Sequence, residues 1–181
     1  MQVIEGKLAG IKIIRPQVFG DDRGFLFESY SAPAYATAGI DAVFVQDNHC
    51  HSIQGTLRGV HYQSRPGQAK LVRVVLGRIW DVAVDIRPGS PTFGRWAAVE
   101  LDDKAREQLF LPIGFAHGFC VLSEAAEIEY KLSAPYDAKT ECALDYADPE
   151  LAIEWPITQP LLSARDLQAE SFASFRARVG R

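Results

Sequence analysis

A succession of short β-type runs, each closed by glycine, proline or small polar residues, limits this chain to a small set of folds. The runs are Ile11–Ile14, Phe25–Tyr30, Val43–Gln46, Thr56–Gln63, Lys70–Leu76, Ile79–Ile86, Trp96–Leu101, Gln108–Leu111, His117–Leu122, Glu127–Leu132 and Ala143–Tyr146. Gly77, Pro88-Gly89-Ser90-Pro91, Gly94 and Pro112-Ile113-Gly114 punctuate them. Runs this short and regular close into sandwiches or jelly-roll barrels rather than βαβ units. Helical periodicity is confined to Ala32–Ala38 and to a tail in which Leu167, Phe172, Phe175 and Val179 fall near one face. The expectation is an all-β jelly-roll β-barrel or sandwich, one domain over residues 1–181, with a helical tail at about 164–179.

Two strands break their own pattern. The period of two puts Lys70 in phase with Val72, Val74 and Leu76, and Tyr130 in phase with Ile128 and Leu132. Glu127, Glu129 and Lys131 face the other way. An ammonium and a phenol are therefore expected to point into the barrel, although a snorkelling lysine and a packed tyrosine would read the same.

Bulk properties remove several classes of function. A net charge of −4 and a pI near 5.6 do not provide the basic face that nucleic-acid binding needs. No apolar stretch approaches the roughly 20 residues of a membrane span, and Glu5 interrupts an N-terminus with no signal-peptide core. Cys50, Cys120 and Cys142 form no C-x-x-C pair and read as idle thiols in a reducing compartment. A cytoplasmic protein is expected.

Four histidines, His49, His51, His61 and His117, raise the question of a metal. In the cupin superfamily the first metal motif is a glycine, five residues, H-x-H and a downstream glutamate; the second contains P-x-G-x-x-H. Pro112-Ile113-Gly114-Phe115-Ala116-His117 resembles the second, and Gly55 followed by His61 resembles the start of the first. Gln63 stands at the second histidine position and Gly67-Gln68 where the glutamate belongs. With two of four ligands replaced by neutral groups, no metal is expected.

An ordered series of motifs adds a sharper resemblance. Phe19–Phe25 leads to Phe27-Glu28; then come Phe44–Asn48, Leu57–Gln63, Lys70–Arg73, Asp81–Gly94, Pro112–Phe119, Ile153–Pro156 and Leu162–Asp166. Together they resemble the dTDP-4-dehydrorhamnose 3,5-epimerase family from about residue 10 to 166. The resemblance implies inversion of C3 and C5 of dTDP-4-dehydro-6-deoxy-D-glucose, without a cofactor, by proton removal beside the C4 ketone.

Residue by residue, the resemblance makes His61 the base, Asp166 its carboxylate partner, Tyr130 the acid across the ring and Lys70 the cation beside the ketone oxygen. Arg23, Arg58 and Arg165 would meet the diphosphate and neighbouring groups. Glu28, Gln46, Asn48 and Glu141 would contact the nucleotide, Tyr136 would stack on thymine and His117 would line the sugar pocket. A homodimer is implied, with strands from about residues 1–30 crossing to the partner. Arg165 stands where many relatives have lysine, and Leu144–Pro149 departs from the tryptophan–asparagine form common in the family. A relative that inverts C3 alone would use the same first-step residues; a non-catalytic sugar-nucleotide-binding cupin would have no use for all four.

One spacing conflicts with this assignment. Arg58 and His61 are three apart, so a regular strand points them to opposite faces. Either the strand bulges at Gly59, or Arg58 serves another edge of the site.

Overall fold

The structure is a computed structural model that describes residues 1–180. Two antiparallel sheets face each other. One has six strands in the order β1 (Gln2–Glu5), β2 (Lys12–Arg15), β10 (Gln108–Leu111), β7 (Lys70–Leu76), β12 (Ala125–Leu132) and β5 (Gln46–Ile53). The other has five: β13 (Glu141–Ala143), β6 (Leu57–Gln63), β11 (Phe115–Val121), β8 (Arg78–Asp85) and β9 (Trp96–Asp102). A separate hairpin, β3 (Val18–Asp21) with β4 (Gly24–Phe27), pairs only with itself. Two short helices complete the chain, α1 (Ala32–Thr37) and α2 (Phe172–Val179).

Burial explains why several strands read as continuous apolar runs. Val72, Val74, Ile79, Ala83, Leu109, Phe119 and Ile128 fill the space between the sheets. The outer face of the five-stranded sheet is buried too: Val60, Tyr62, Val82, Val84 and Ala116 pack under Phe172 and Phe175 of α2. Ile14, Leu71 and Phe110 likewise lie under Tyr35 of α1 and Ile40. Strands buried on both faces lose polar–apolar alternation. Each buried aromatic removes on the order of 150–250 Å² of surface from water, so α2 is held chiefly by its phenylalanines.

Several expected boundaries move. Val43–Val45 is not a strand; β5 begins at Gln46 and runs through the polar stretch to Ile53, in register with β12 from Gln46↔Leu132 to Ile53↔Ala125. Its inward face carries Gln46, Asn48, Cys50 and Ser52, so hydrophobic alternation could not reveal it. β4 stops at Phe27 rather than Tyr30, and β13 precedes the expected Ala143–Tyr146. β1 and β3 lie outside the runs that local pattern marks, though within the 1–30 segment for which the resemblance implies strands.

The tail is not one helix. A 3₁₀ turn at Asp166–Gln168 ends in extended backbone at Ala169, and α2 starts only after Ser171, whose hydroxyl accepts from the Ser174 amide at 3.3 Å. Leu167 is accordingly 69% exposed and takes no part in the apolar face. The N-terminal strands divide as well. β1 and β2 are joined to β10 of the same chain, and only the β3–β4 hairpin is free of the two sheets. Among the described residues, no helix is long and apolar enough to cross a membrane.

Candidate active site

The barrel opens at one end on a cavity of about 230 Å³ whose polar lining comes from six strands and three loops. Inward positions follow the two-residue period: Asn48 on β5, Lys70 on β7, His117 on β11 and Tyr130 on β12. His61 and Arg58 both line it from β6. The register of β6 against β11 shifts between His61↔His117 and Arg58↔Phe119, which turns both side chains to the same face. Gly59 sits at the shift with φ 142°, and a Cβ there would lie 2.5 Å from the Cα of Gly118. The bulge reading of the Arg58–His61 spacing is thus the one the fold adopts.

His61 Nε2 lies 2.5 Å from Asp166 Oδ1, with Asp166 delivered by the 3₁₀ turn and buried. A carboxylate only accepts, so Nε2 carries the hydrogen and Nδ1 holds the lone pair. Burial pushes the Asp166 carboxyl upward, but hydrogen bonds from His61 and Ser163 and the charge of Arg165 outweigh it and hold it below the usual range. The Arg165 guanidinium is 3.3 Å from the same Nε2; two donors cannot bond, so this is proximity. Arg165 makes its ion pair with Glu141 instead.

Lys70 lines the same cavity, buried, with Nζ donating to the His61 carbonyl at 3.4 Å. Burial drives its ammonium down to about 8, against the pull of Asp81 and Glu141. His117 is also buried, and Nε2 donates to both oxygens of Asp81 at 2.8 and 2.9 Å. Burial pushes this imidazole toward its neutral form more strongly than Asp81 pulls it back. Asp81 is a site residue that sequence reasoning missed. Its signal is an acid in phase with Ile79 and Ala83 on a strand otherwise buried.

Tyr130 faces its register partner Asn48. Burial raises its phenol above the ordinary range, while the facing Asn48 side chain works in the opposite direction. Tyr136 and Glu141 form the outer lip with Arg165, and Gln46 binds the Tyr136 backbone amide at 2.8 Å. Arg58 Nε donates to Ser52 at 3.1 Å. Arg23 and Glu28 are not brought here: Arg23 pairs with Asp21 on the β3–β4 hairpin, and both are exposed.

The histidines divide into two groups. His61 and His117 are register partners inside the barrel, each with a carboxylate on Nε2. His49 and His51 lie outside it on β5, within 3.3–3.7 Å of Glu127 and Glu129. Among the described residues no group of three or more His, Cys, Asp or Glu side chains is placed to hold a metal ion.

A carboxylate-oriented imidazole, a phenol and a buried ammonium around one cavity are the parts of an acid–base isomerase acting beside a carbonyl. A family model described as dTDP-4-dehydrorhamnose 3,5-epimerase matches residues 5–174. Proteins of that description are 49% identical in Neisseria gonorrhoeae and 52% identical in Pseudomonas aeruginosa. The matches cover 96% and 89% of this chain; the chain spans 53% of the length of the first relative and 90% of the second. The Legionella pneumophila dTDP-6-deoxy-D-glucose-3,5-epimerase, solved in complex with dTDP-4-keto-L-rhamnose, superposes with a TM-score of 0.95 at 46% identity, covering 98% of this chain and 96% of that one. This chain belongs to the dTDP-4-dehydrorhamnose 3,5-epimerase family, and its two-sheet barrel is of the cupin type.

Proposed function

We propose that this protein inverts C3 and C5 of dTDP-4-dehydro-6-deoxy-D-glucose to give dTDP-4-dehydro-L-rhamnose. The observation that carries the reading is the His61–Asp166 pair opening onto the same cavity as Lys70 and Tyr130. Both carbons flank the C4 ketone, so loss of either proton gives an enolate. His61 Nδ1 takes that proton, and Asp166 stabilises the imidazolium that results. The Lys70 ammonium faces the enolate oxygen; one well-aimed donor of this kind is worth roughly 3–4 kcal/mol. Tyr130 returns a proton from the opposite face. No electrons are gained or lost, so the cycle calls for no redox partner.

The nucleotide occupies the outer lip, where Tyr136 offers a ring for the base and Arg58 and Arg165 offer guanidinium groups for phosphate. Arg23 and Glu28 reach this lip from a second copy. The support is the free β3–β4 hairpin, which presents Phe19, Phe25 and Leu26 at 60%, 58% and 73% exposure, an apolar surface suited to burial in a homodimer. Three free cysteines fit a cytoplasmic setting.

Incubation with dTDP-4-dehydro-6-deoxyglucose in deuterated water, followed by NMR, tests the reaction. The expected result is deuterium at C3 and C5 with an L-configured product. Exchange at C3 alone would reassign the protein as a 3-epimerase, and dTDP binding without exchange would remove the catalytic reading. Tyr130→Phe is expected to keep exchange by His61 while losing inversion, and His61→Asn to abolish both.

A further inference from the structure

Gln46 and Asn48 are two residues apart on β5, on the face that looks into the barrel. Gln46 Oε1 accepts from the backbone N–H of Tyr136 at 2.8 Å, and Gln46 Nε2 donates to Asn48 Oδ1 at 2.8 Å. Asn48 in turn is the direct register partner of Tyr130 on β12, and both line the cavity.

The sense of this chain is not arbitrary. A side-chain amide can ordinarily be turned either way, exchanging its oxygen and nitrogen. A backbone N–H only donates, so the Gln46 atom facing Tyr136 must be the oxygen. The other end of Gln46 is then NH₂, which requires oxygen from Asn48. The end of the Asn48 amide turned away from Gln46 is its NH₂, a donor and never an acceptor. A hydrogen bond from this amide to the phenol oxygen leaves the Tyr130 O–H unconsumed by its neighbour. It also favours the phenolate, the direction in which Asn48 acts on the phenol.

We propose that Asn48 is a positioning residue for the Tyr130 hydroxyl, held in its productive sense by Gln46 and the Tyr136 backbone. This rests on the reading of Tyr130 as the proton donor, and it departs from the expectation that Gln46 and Asn48 serve only to contact the nucleotide. Its consequence is a mechanical link. The loop that offers Tyr136 to the base and the phenol that protonates the sugar belong to one hydrogen-bonded chain. Were Asn48 reversed, its oxygen would capture the phenol hydrogen and withhold it from the sugar.

The test pairs two substitutions. Asn48→Asp replaces the donor by a carboxylate that accepts the phenol hydrogen. Gln46→Glu still accepts from Tyr136 but cannot donate to Asn48, which is then free to turn. Each is expected to lower inversion by at least about tenfold, with the loss falling on kcat more than on dTDP affinity. Ultraviolet titration of the phenol, by difference from Tyr130→Phe, should move to higher pH in both variants. That readout needs no turnover, so it reports on the link even if wild-type protein exchanges no sugar proton, an outcome that would instead sink the epimerase reading. An unshifted phenol titration overturns the proposal. So does a loss that falls on dTDP affinity alone. Thermal melts of the two variants identify any general loss of fold, and Gln46→Glu, one residue removed from Tyr130, keeps the test open if Asn48→Asp does not fold.

Discussion

The His61 imidazole gives its Nε2 hydrogen to Asp166 Oδ1 across 2.5 Å, and this one bond leaves Nδ1 as the ring nitrogen able to take a proton, as the proposed base requires. Asparagine at 166 can present its NH₂ to Nε2 and so move the ring hydrogen to Nδ1. Asp166→Asn should therefore lower kcat on the order of 10³–10⁴-fold, with dTDP affinity little changed, as steady-state kinetics and calorimetry would record. The same carboxyl is held below its ordinary range in the folded protein. Its contribution to stability is present above the unfolded carboxylate value and is lost as pH falls through the folded one. The difference in melting between wild type and Asp166→Asn should shrink on acidification.

Lys70 is the converse case. Unfolded, its ammonium titrates at 10.5, but in the barrel it titrates at about 8. The native state thus holds fewer protons between these values, and stability is lowest below about 8 and rises above it. Lys70→Met removes a buried charge, worth roughly 3 kcal/mol at one unit per 1.36 kcal/mol, and should melt higher at neutral pH. Its turnover should nevertheless collapse. In the wild type, activity should decline as pH rises through about 8, the point at which the enolate loses its cation.

Gly59 lets β6 shift register and turn Arg58 and His61 to one face. A methyl group there meets backbone of Gly118 at 2.5 Å and stands at positive φ, so neither neighbour can yield by rotating a side chain. Gly59→Ala should destabilise by at least about 1–3 kcal/mol in denaturant melts and reduce turnover further through His61. A fully stable, fully active Gly59→Ala protein would contradict this account of the strand.

The β3–β4 hairpin carries Arg23 and is expected to complete the site of a second copy. Leu26→Glu places a charge at a side chain 73% exposed in the isolated chain and should yield a monomer by sedimentation. Arg23→Ala and Lys70→Met should each be inactive alone. Mixed and re-equilibrated, they should regain activity, because an Arg23→Ala core receives an intact hairpin from its Lys70→Met partner. No recovery would place Arg23 in its own subunit's chemistry.

The sequence by itself determined the all-β class, the inward aim of Lys70 and Tyr130 and the replacement of two cupin ligands at Gln63 and Gly67-Gln68. These follow from local period and residue identity, since successive side chains in a strand alternate faces whatever the strand pairs with. Ordered motifs added the family, because each motif is itself local. Only the tertiary structure decided that His61 meets Asp166 across 105 positions, that Asp81 backs His117, and that Gln46 links the Tyr136 backbone to Asn48, the register partner of Tyr130. Those meetings depend on sheet order and register. The polar strand β5 was invisible to hydrophobic pattern because its inward positions are Gln46, Asn48, Cys50 and Ser52, none of them a large apolar side chain. Leu167 was misread for a related reason: period alone gives no sign that backbone hydrogen bonding breaks at Ala169.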